Sequence, residues 1–293
     1  MTTTPGWDGE QLDLDAYLHR IGFDGDPAPT LAALRALHRG HVTSIPFENL
    51  EIMLGRGVPL DLASVQDKLV RRRRGGYCFE HTRLFAAALE RLGFGFTALT
   101  GRVSMGSENK FRPATHALLR VETADDERAW LCDVGFGAGP LEPLEFVDGA
   151  TATQGGGWRY RLERLGTLDG RVPHVAWWSL FQAPAPGTAD GWVDRHNFTE
   201  TPSFPIDYEV GNHFVATHPR SPFSARPYVQ RYAADVHHAL DDLTLTTSRP
   251  DGSTDKRELS PSELPAVLAD VFDIVLDASD AARLVASVEA SGR

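Results

Sequence analysis

The spacing of the apolar residues changes at Gly93, and this change limits the possible folds more than any other feature of the 293-residue sequence. Before Gly93 the apolar residues recur at the spacing of one face of an α-helix. From residue 94 onward they alternate along the chain, with many β-branched and aromatic side chains, which is the pattern of short strands. The sequence therefore predicts a helical first part followed by a β-rich part.

The helical part carries recognisable start and stop signals. Thr30 is placed to cap one helix, Asp61 or Ser64 to start another, and Pro46 and Gly93 to end the helices before them. The predicted helices cover residues 12–21, 31–37, 60–74 and 79–92.

The β-rich part is expected to form an antiparallel sheet or a small barrel, because its strands are short and closely spaced. Beyond Trp192 the alternation weakens, and we interpret the chain there as rich in loops until a helix at residues 207–217. The predicted strands are residues 94–105, 115–121, 129–134, 158–165, 175–181, 228–234 and 243–247, and two further helices start at Ser260 and after Ser279.

Composition excludes several classes of protein. Hydrophobic residues make up 42% and charged residues 24% of the chain, which is the composition of an ordinary globular protein. The net charge of −11 argues against a nucleic-acid partner, since the one run of cations is Arg71 to Arg74. No apolar run approaches the roughly 20 residues that span a bilayer, and the N-terminus lacks a secretory pattern. A cytoplasmic protein without membrane contact is expected.

Cys78 is the first candidate for chemistry. It follows the Gly75-Gly76 turn and stands at the start of the helix predicted at 79–92, where unpaired amide groups and the helix dipole stabilise a thiolate. The alternative is a cysteine that packs as a small buried apolar residue. The second cysteine, Cys132, lies in an apolar run and is expected to pack. Two cysteines are too few for a disulfide framework or a closed zinc site.

A cysteine nucleophile needs an imidazole base, and the base needs an acceptor that orients it. His116 heads one predicted strand, and Asp133 interrupts the apolar run of the next. A buried carboxylate needs a partner, so we expect these two side chains to share one face, with Cys132 pointing away.

The other histidines carry weaker signals. His38 and His41 are one helical turn apart without a third ligand nearby, so no metal site is expected. The remaining candidates, which we expect either to line a cleft or to be exposed, are His196, His213 and His218.

Several motifs in one order resemble the arylamine N-acetyltransferase family. The segment at residues 74–80, Arg-Gly-Gly-Tyr-Cys-Phe-Glu, is similar to its nucleophile motif, and residues 45–50, Ile-Pro-Phe-Glu-Asn-Leu, to its upstream signature. Thr115-His116, residues 133–137 (Asp-Val-Gly-Phe-Gly), and the segments at 207–212 and 217–223 match later parts. The resemblance runs from about residue 12 to residue 231.

The resemblance implies an α+β fold with an N-terminal helical bundle, a central antiparallel β-barrel-like domain and a C-terminal α/β lid. We place these domains at residues 1–93, 94–200 and 201–293. It implies a triad of Cys78, His116 and Asp133, arranged as in cysteine proteases, and a ping-pong reaction. Acetyl-coenzyme A would donate the acetyl group, and an arylamine, arylhydrazine or hydroxylamine would accept it.

The resemblance also implies binding roles for individual residues. Coenzyme A would contact Val103, Thr115, His116 and Gly135. The aromatic pocket for the acceptor would consist of Phe47, Phe79, Phe136 and Phe214, with core packing as the alternative for each. Glu48, Arg74 and Glu80 are interpreted as a structural charge network, and contact of Arg72 or Arg73 with phosphates stays open.

Two alternatives remain at this point. A related amide synthase uses the same triad to close a macrolactam from a carrier-bound polyketide, and the motifs do not separate the two activities. An inactive scaffold or binding protein of the same fold is the third possibility. The presence of all three residues, Cys78, His116 and Asp133, argues against it. Neither the physiological acceptor nor the oligomeric state follows from the sequence.

Overall fold

Helices come first along the chain, as predicted. The structure is a computed structural model, and it describes residues 6–109, 111–166, 175–183 and 191–291. The helices before the first long strand are α1 (Leu14–Arg20), α2 (Leu31–Ser44), α3 (Leu50–Met53), α4 (Leu62–Gln66) and α5 (Cys78–Leu92), with a two-residue strand β1 (Phe47–Glu48) between α2 and α3.

The predicted signals at the helix ends are confirmed. The Thr30 hydroxyl accepts a hydrogen bond from the Ala33 amide at 3.3 Å and starts α2. Asp61 caps α4 in the same way, and Gly93 ends α5 with a φ of 82°.

The helix predicted at residues 60–74 is too long at its C-terminal end. A π-helical turn over Asp67–Arg71 follows α4, and Arg73 then adopts a left-handed conformation with a φ of 53°. This reversal turns Arg74 into the protein, where its guanidinium is buried against Glu48. The end of the helix thus places Arg74 in the buried charge pair with Glu48.

The β-rich part forms one antiparallel sheet that nearly closes on itself. Its strands are β2 (Gly95–Val103), β3 (His116–Thr123), β4 (Asp126–Cys132), β5 (Leu144–Glu145), β6 (Ala150–Gln154), β7 (Trp158–Leu165), β8 (Trp177–Gln182) and β9 (Val193–Thr199), in the order β5-β4-β3-β2-β9-β8-β7-β6. The two edge strands meet where the Gln154 side chain exchanges hydrogen bonds with the Glu142 backbone. The prediction of a barrel-like antiparallel sheet is confirmed.

Strand β9 corrects the prediction of loops beyond Trp192. It pairs with both β2 and β8, so it lies in the middle of the sheet. The register on β8 changes from Leu180 opposite His196 to Phe181 opposite Asp194, so that Arg195 is an extra residue without a partner on β8. Such a β-bulge breaks the alternation of inward and outward side chains, which is why the sequence pattern did not predict a strand here.

The C-terminal part contains helices and a second antiparallel sheet. Its elements are α6 (Pro205–Thr217), β10 (Tyr228–Tyr232), β11 (His237–Asp241), β12 (Thr244–Ser248), β13 (Thr254–Glu258), α7 (Leu264–Phe272) and α8 (Ala278–Ser291), and the sheet order is β1-β10-β11-β12-β13. Strands β11 and β13 were not predicted, because their mostly polar residues lack apolar alternation; β13 is exposed along its whole length.

Strand β1 connects the first part of the chain to the last. Phe47 is paired with Gln230 and Glu48 with Val229 on β10. The division into three domains at residues 93 and 200 stays a prediction, but the helical part and the C-terminal part share one sheet. Within the described ranges, no helix is both long and apolar enough to cross a membrane.

A buried charge network lies beneath the turn that precedes α5, as predicted for Glu48, Arg74 and Glu80. Arg74 donates to Glu48 at 2.8 and 3.0 Å, and Lys68 donates to Glu80 at 2.8 Å. Burial alone would raise the pKa of Glu48, but the charges of Lys68 and Arg74 lower it. The carboxylate therefore stays ionised inside the protein, and the two cations depend on it.

Removal of this carboxylate is expected to destabilise the fold strongly. Glu48→Ala leaves Arg74 and Lys68 buried with too little negative charge, so we expect a loss of about 3–5 kcal/mol in the free energy of unfolding. The measurement is urea denaturation followed by circular dichroism. Glu122→Ala, which breaks the exposed pair with Arg120, is the control and should cost about 1 kcal/mol or less. Equal losses in the two variants would contradict the prediction.

Candidate active site

Cys78 is the first residue of α5, so its thiol lies at the positive end of the helix dipole. The preceding turn has no room for side chains. A Cβ atom on Gly75 would lie 2.1 Å from the Pro46 carbonyl oxygen, and one on Gly76 would lie 2.7 Å from the Glu80 carboxylate. The double glycine is therefore a packing requirement of the segment that presents the cysteine.

The segment around Phe47 pairs directly with this turn. The Gly76 amide donates to Pro46 O at 3.2 Å, and the Glu48 amide donates to Gly76 O at 2.8 Å. The two motifs that the sequence separates by about 25 residues thus form one backbone bridge. This contact holds the segment that follows Pro46 in a regular conformation, with Phe47 and Glu48 in strand β1.

His116 and Asp133 lie together, as the strand argument predicts. His116 is the first residue of β3, and Asp133 immediately follows the last residue of β4. The His116 Nε2 atom lies 3.0 and 3.1 Å from the two carboxylate oxygens. Both side chains are buried.

The electrostatics of the pair favour a protonated imidazole. Burial lowers the pKa of His116, but the charge and hydrogen bond of Asp133, together with a hydrogen bond to Cys78, outweigh it and raise that pKa to about 10. Burial likewise raises the pKa of Asp133, and the neighbouring imidazoles bring it well below its usual range. The Cys78 sulphur also lies 3.4 Å from the Thr115 carbonyl oxygen. His116 is thus the imidazole that interacts with both the Cys78 thiol and the Asp133 carboxylate.

His196 is a buried member of the site to which the sequence assigned no role. It lies on the bulged strand β9, and its Nε2 atom donates to the second oxygen of Asp133 at 2.8 Å. Burial lowers the pKa of His196, so the ring is neutral. Its position was expected either in a cleft or at the surface. Three consecutive residues, His196, Asn197 and Phe198, are buried here. The bulge interrupts the alternation of this strand, so the sequence pattern did not indicate that these residues lie inside the protein.

His38 holds the backbone of Asp133 from the helical part. The Asp133 amide donates to His38 Nε2 at 3.2 Å, and His38 Nδ1 donates to the Leu141 carbonyl at 3.1 Å. Burial lowers the pKa of His38 to about 4, which agrees with this neutral form. Asp133 is thus fixed through its backbone from α2 and through its carboxylate from β3 and β9.

The site contains one cluster with metal-ligating atoms. One ligand atom each from His116, Asp133 and His196 lies within 4.8 Å of the others. Both imidazole Nε2 atoms already face the Asp133 carboxylate, so an ion would have to displace their protons. The donor set therefore fits a hydrogen-bonded carboxylate better than a resident metal.

Cys132 is placed away from this chemistry, as predicted. The side chain is buried, and burial together with the charge of Asp133 raises the pKa of its thiol well above the ordinary value. Cys132 therefore remains a neutral thiol.

A cavity of about 520 Å³ opens onto Cys78. Asp133 is bonded to His116 but does not itself line the cavity. The predicted site residues on its wall are Phe47, Cys78, Val103, Thr115, His116, Gly135, Phe136 and Phe214. A Cβ atom on Gly135 would lie 2.7 Å from the Cys78 Cα atom, so only glycine fits beside the cysteine.

The placement of Phe79 in the pocket is wrong. Its ring is fully buried and does not line the cavity; it packs against Tyr77 and Tyr208, with ring centroids 6.3 and 5.4 Å apart. A Cβ atom on Gly211 would lie 2.5 Å from this ring, so α6 covers it directly. One residue along a helix turns a side chain by about 100°, which directs Phe79 into the core when Cys78 faces the cavity.

The arginine run at residues 71–74 does not reach the cavity either. Arg72 pairs with Asp67, Arg73 with Asp273, and Arg74 is buried. The cavity wall instead carries cations that the sequence did not identify, namely Arg112, Arg195, Arg220 and Arg226.

Comparisons with known proteins agree with this architecture. A family model described as N-acetyltransferase matches residues 30–281. The arylamine N-acetyltransferase of Mycolicibacterium smegmatis is 35% identical over 271 residues, covering 90% of this chain and 93% of that protein. The crystal structure of the Nocardia farcinica arylamine N-acetyltransferase aligns with a TM-score of 0.90 and 58% identity, covering 97% of this chain and 98% of that one.

A further solved structure is that of the Mycobacterium marinum arylamine N-acetyltransferase in complex with CoA. It aligns with a TM-score of 0.83 and 32% identity over 95% of this chain and 99% of that one. The extent of these matches, together with the fold and the motifs described above, shows that the chain belongs to the arylamine N-acetyltransferase family.

Proposed function

We propose that this protein transfers the acetyl group of acetyl-coenzyme A to the nitrogen of an arylamine, an arylhydrazine or a hydroxylamine, through a thioester on Cys78. The observation that carries the proposal is that Cys78 and His116 lie together on the wall of a 520 Å³ cavity, with His116 bonded to the buried Asp133. Membership of the family supports acetyl transfer, and the CoA complex of the Mycobacterium marinum relative supports the donor.

The first half-reaction uses Cys78 as the nucleophile. His116 holds the proton of the thiol, and the Cys78 thiolate attacks the carbonyl carbon of the donor thioester, forming a new carbon–sulphur bond. When the tetrahedral intermediate collapses, the original carbon–sulphur bond breaks, and the leaving thiolate takes the proton from His116. The Cys78 backbone N–H at the start of α5 is a candidate donor to the intermediate oxygen.

The second half-reaction regenerates the thiolate. The acceptor nitrogen attacks the acetyl carbon on Cys78, a carbon–nitrogen bond forms, and the bond to sulphur breaks. The amine gives one proton to His116, which restores the imidazolium beside the thiolate. Asp133 keeps the imidazole oriented and stabilises its charge in both halves.

The cavity wall fits the two substrates. Gly135 leaves room beside Cys78 for the thioester, and Val103 and Thr115 would line the coenzyme A arm. Arg112 and Arg220 supply positive charge for phosphates. Phe47, Phe136 and Phe214 would pack against the ring of the acceptor, without Phe79.

The direct test combines the purified protein with acetyl-coenzyme A and 4-methoxyaniline, a neutral arylamine. We expect release of free coenzyme A, measured with a thiol-specific chromogenic reagent, that depends on the arylamine and disappears in Cys78→Ser. Cys132→Ala is the matched control and should retain the activity, since Cys132 does not line the cavity. Absence of acceptor-dependent release would favour the amide synthase. Transfer that persists in Cys78→Ser would exclude Cys78 as the nucleophile.

Asp133→Asn tests the charge on the triad. Loss of the carboxylate lowers the pKa of His116, so the imidazolium beside the thiolate becomes less favourable. We expect turnover to fall by about a hundredfold or more. We also expect the pH of half-maximal alkylation by iodoacetamide to move upward. An unchanged alkylation profile would show that Asp133 is purely structural.

His196 is tested as a positioning residue. His196→Phe keeps the ring but removes the donor to Asp133, and we expect kcat to fall by about tenfold to a hundredfold with little change in the KM for acetyl-coenzyme A. His196→Gln retains an N–H donor and should recover part of the loss. Equal activity in the two variants, with equal melting temperatures, would exclude a role for the hydrogen bond.

A further inference from the structure

Arg195 occupies the extra position of the β-bulge in β9. The β8 ladder pairs with Asp194 and His196 and leaves Arg195 unmatched, and the Arg195 carbonyl accepts bonds from the Ser104 and Met105 amides. A bulge redirects a side chain that regular alternation would send to the other face of the sheet. Here Arg195 lines the cavity, and both Arg195 and the adjacent His196 lie against the Phe136 ring.

The Arg195 guanidinium lacks a partner of opposite charge. Within the described parts of the chain, no carboxylate forms an ion pair with it, and its Nε atom is buried without a hydrogen bond. Burial lowers the pKa of Arg195, and the groups that oppose this effect include Tyr160, Tyr228, Tyr232 and the Asp133 carboxylate, which is already bonded to two imidazoles. A largely buried cation without a counter-charge is unfavourable, so an anion in the cavity would stabilise it.

The other cations of the cavity wall differ in this respect. Arg226 is paired with Asp241, and Arg112 donates to the Ser107 hydroxyl. Arg220 is exposed to solvent. Arg195 is thus the guanidinium on this wall that combines burial with the lack of a counter-charge.

The position of Arg195 relative to the reaction centre suggests which anion it meets. Its Cζ atom lies 5.2 Å from the centre of the Phe136 ring, and that ring lies 5.2 Å from the His116 ring in an edge-to-face contact. One aromatic ring thus separates Arg195 from the base. An acceptor whose amine lies at Cys78 and whose ring packs beside Phe136 would present a ring substituent to Arg195.

We propose that Arg195 binds a carboxylate on the ring of the acceptor, so that the acceptors preferred by this protein are aminobenzoates rather than neutral anilines. This inference rests on the proposed function and specifies its acceptor. The planar fork of a guanidinium matches a carboxylate with two parallel hydrogen bonds. The phosphates of coenzyme A are a less suitable partner, because the whole pantetheine arm separates them from the thioester at Cys78.

The experiment compares 4-aminobenzoate with its methyl ester, which has nearly the same shape but no charge. In Arg195→Gln we expect kcat/KM for 4-aminobenzoate to fall by about tenfold to a hundredfold, mainly through KM, whereas the ester changes by less than about twofold. Arg195→Lys keeps the charge without the fork and should recover part of the loss. Arg226→Gln removes a charge that is already paired and should leave the ratio of the two acceptors unchanged.

The donor is varied to separate the two possible anions. If Arg195→Gln raises the KM for acetyl-coenzyme A, leaves acetylation by p-nitrophenyl acetate intact and does not alter the acceptor ratio, the residue binds phosphate and the inference is wrong. An unchanged ratio with an unchanged donor KM also overturns it. In both cases, turnover of the neutral ester shows that the variant is folded and that the proposed function stands. Absence of coenzyme A release with every acceptor would instead contradict the proposed function.

Discussion

The carboxylate of Asp133 is the point at which the separate parts of the chain depend on one another. The carboxylate receives hydrogen bonds from His116 on β3 and His196 on β9, and the backbone amide of Asp133 donates to His38 on α2. A buried carboxylate is tolerated only with such donors, so the barrel-like sheet and the helical part must both be in place before the charge is stable. The orientation of the base is therefore a consequence of the completed fold rather than of a local motif.

A second line of histidines holds the nucleophile in a similar way. His81 Nε2 faces the carbonyl oxygens of Pro46 and Gly76, so it must carry a proton. Its Nδ1 atom then accepts from His41 Nε2, and His41 Nδ1 accepts from the Tyr17 hydroxyl. Burial lowers the pKa values of His41 and His81, which keeps both rings neutral and fixes this one direction of donation. The chain of bonds connects α1, α2 and α5 to the turn before Cys78. One network thus positions the base, and the other positions the cysteine.

The sequence predicts those elements whose pattern is local. Thr30, Asp61 and Gly93 mark helix ends because capping needs only the neighbouring residues, and the strands that carry His116 and precede Asp133 show regular alternation. Strands β11 and β13 were not predicted because they form through pairing with neighbouring strands, and their composition does not indicate this pairing. Phe79 was misplaced because a motif gives the residue but not the side of the helix on which it packs. In each case the missing information is a contact with a distant part of the chain.

Strand β9 shows that a failed pattern can itself indicate function. A regular strand would alternate its side chains, and neighbouring residues could not both reach the same side. The extra residue at Arg195 breaks that rule, and as a result both Arg195 and His196 contact Phe136, the aromatic ring beside the base. The bulge weakens the ladder and leaves a guanidinium without a counter-charge, and both effects are unfavourable to folding alone. An arrangement of this kind is compensated when an anionic ligand occupies the cavity. The same irregularity that concealed the strand from sequence analysis therefore identifies the part of the wall that selects the acceptor in our proposal.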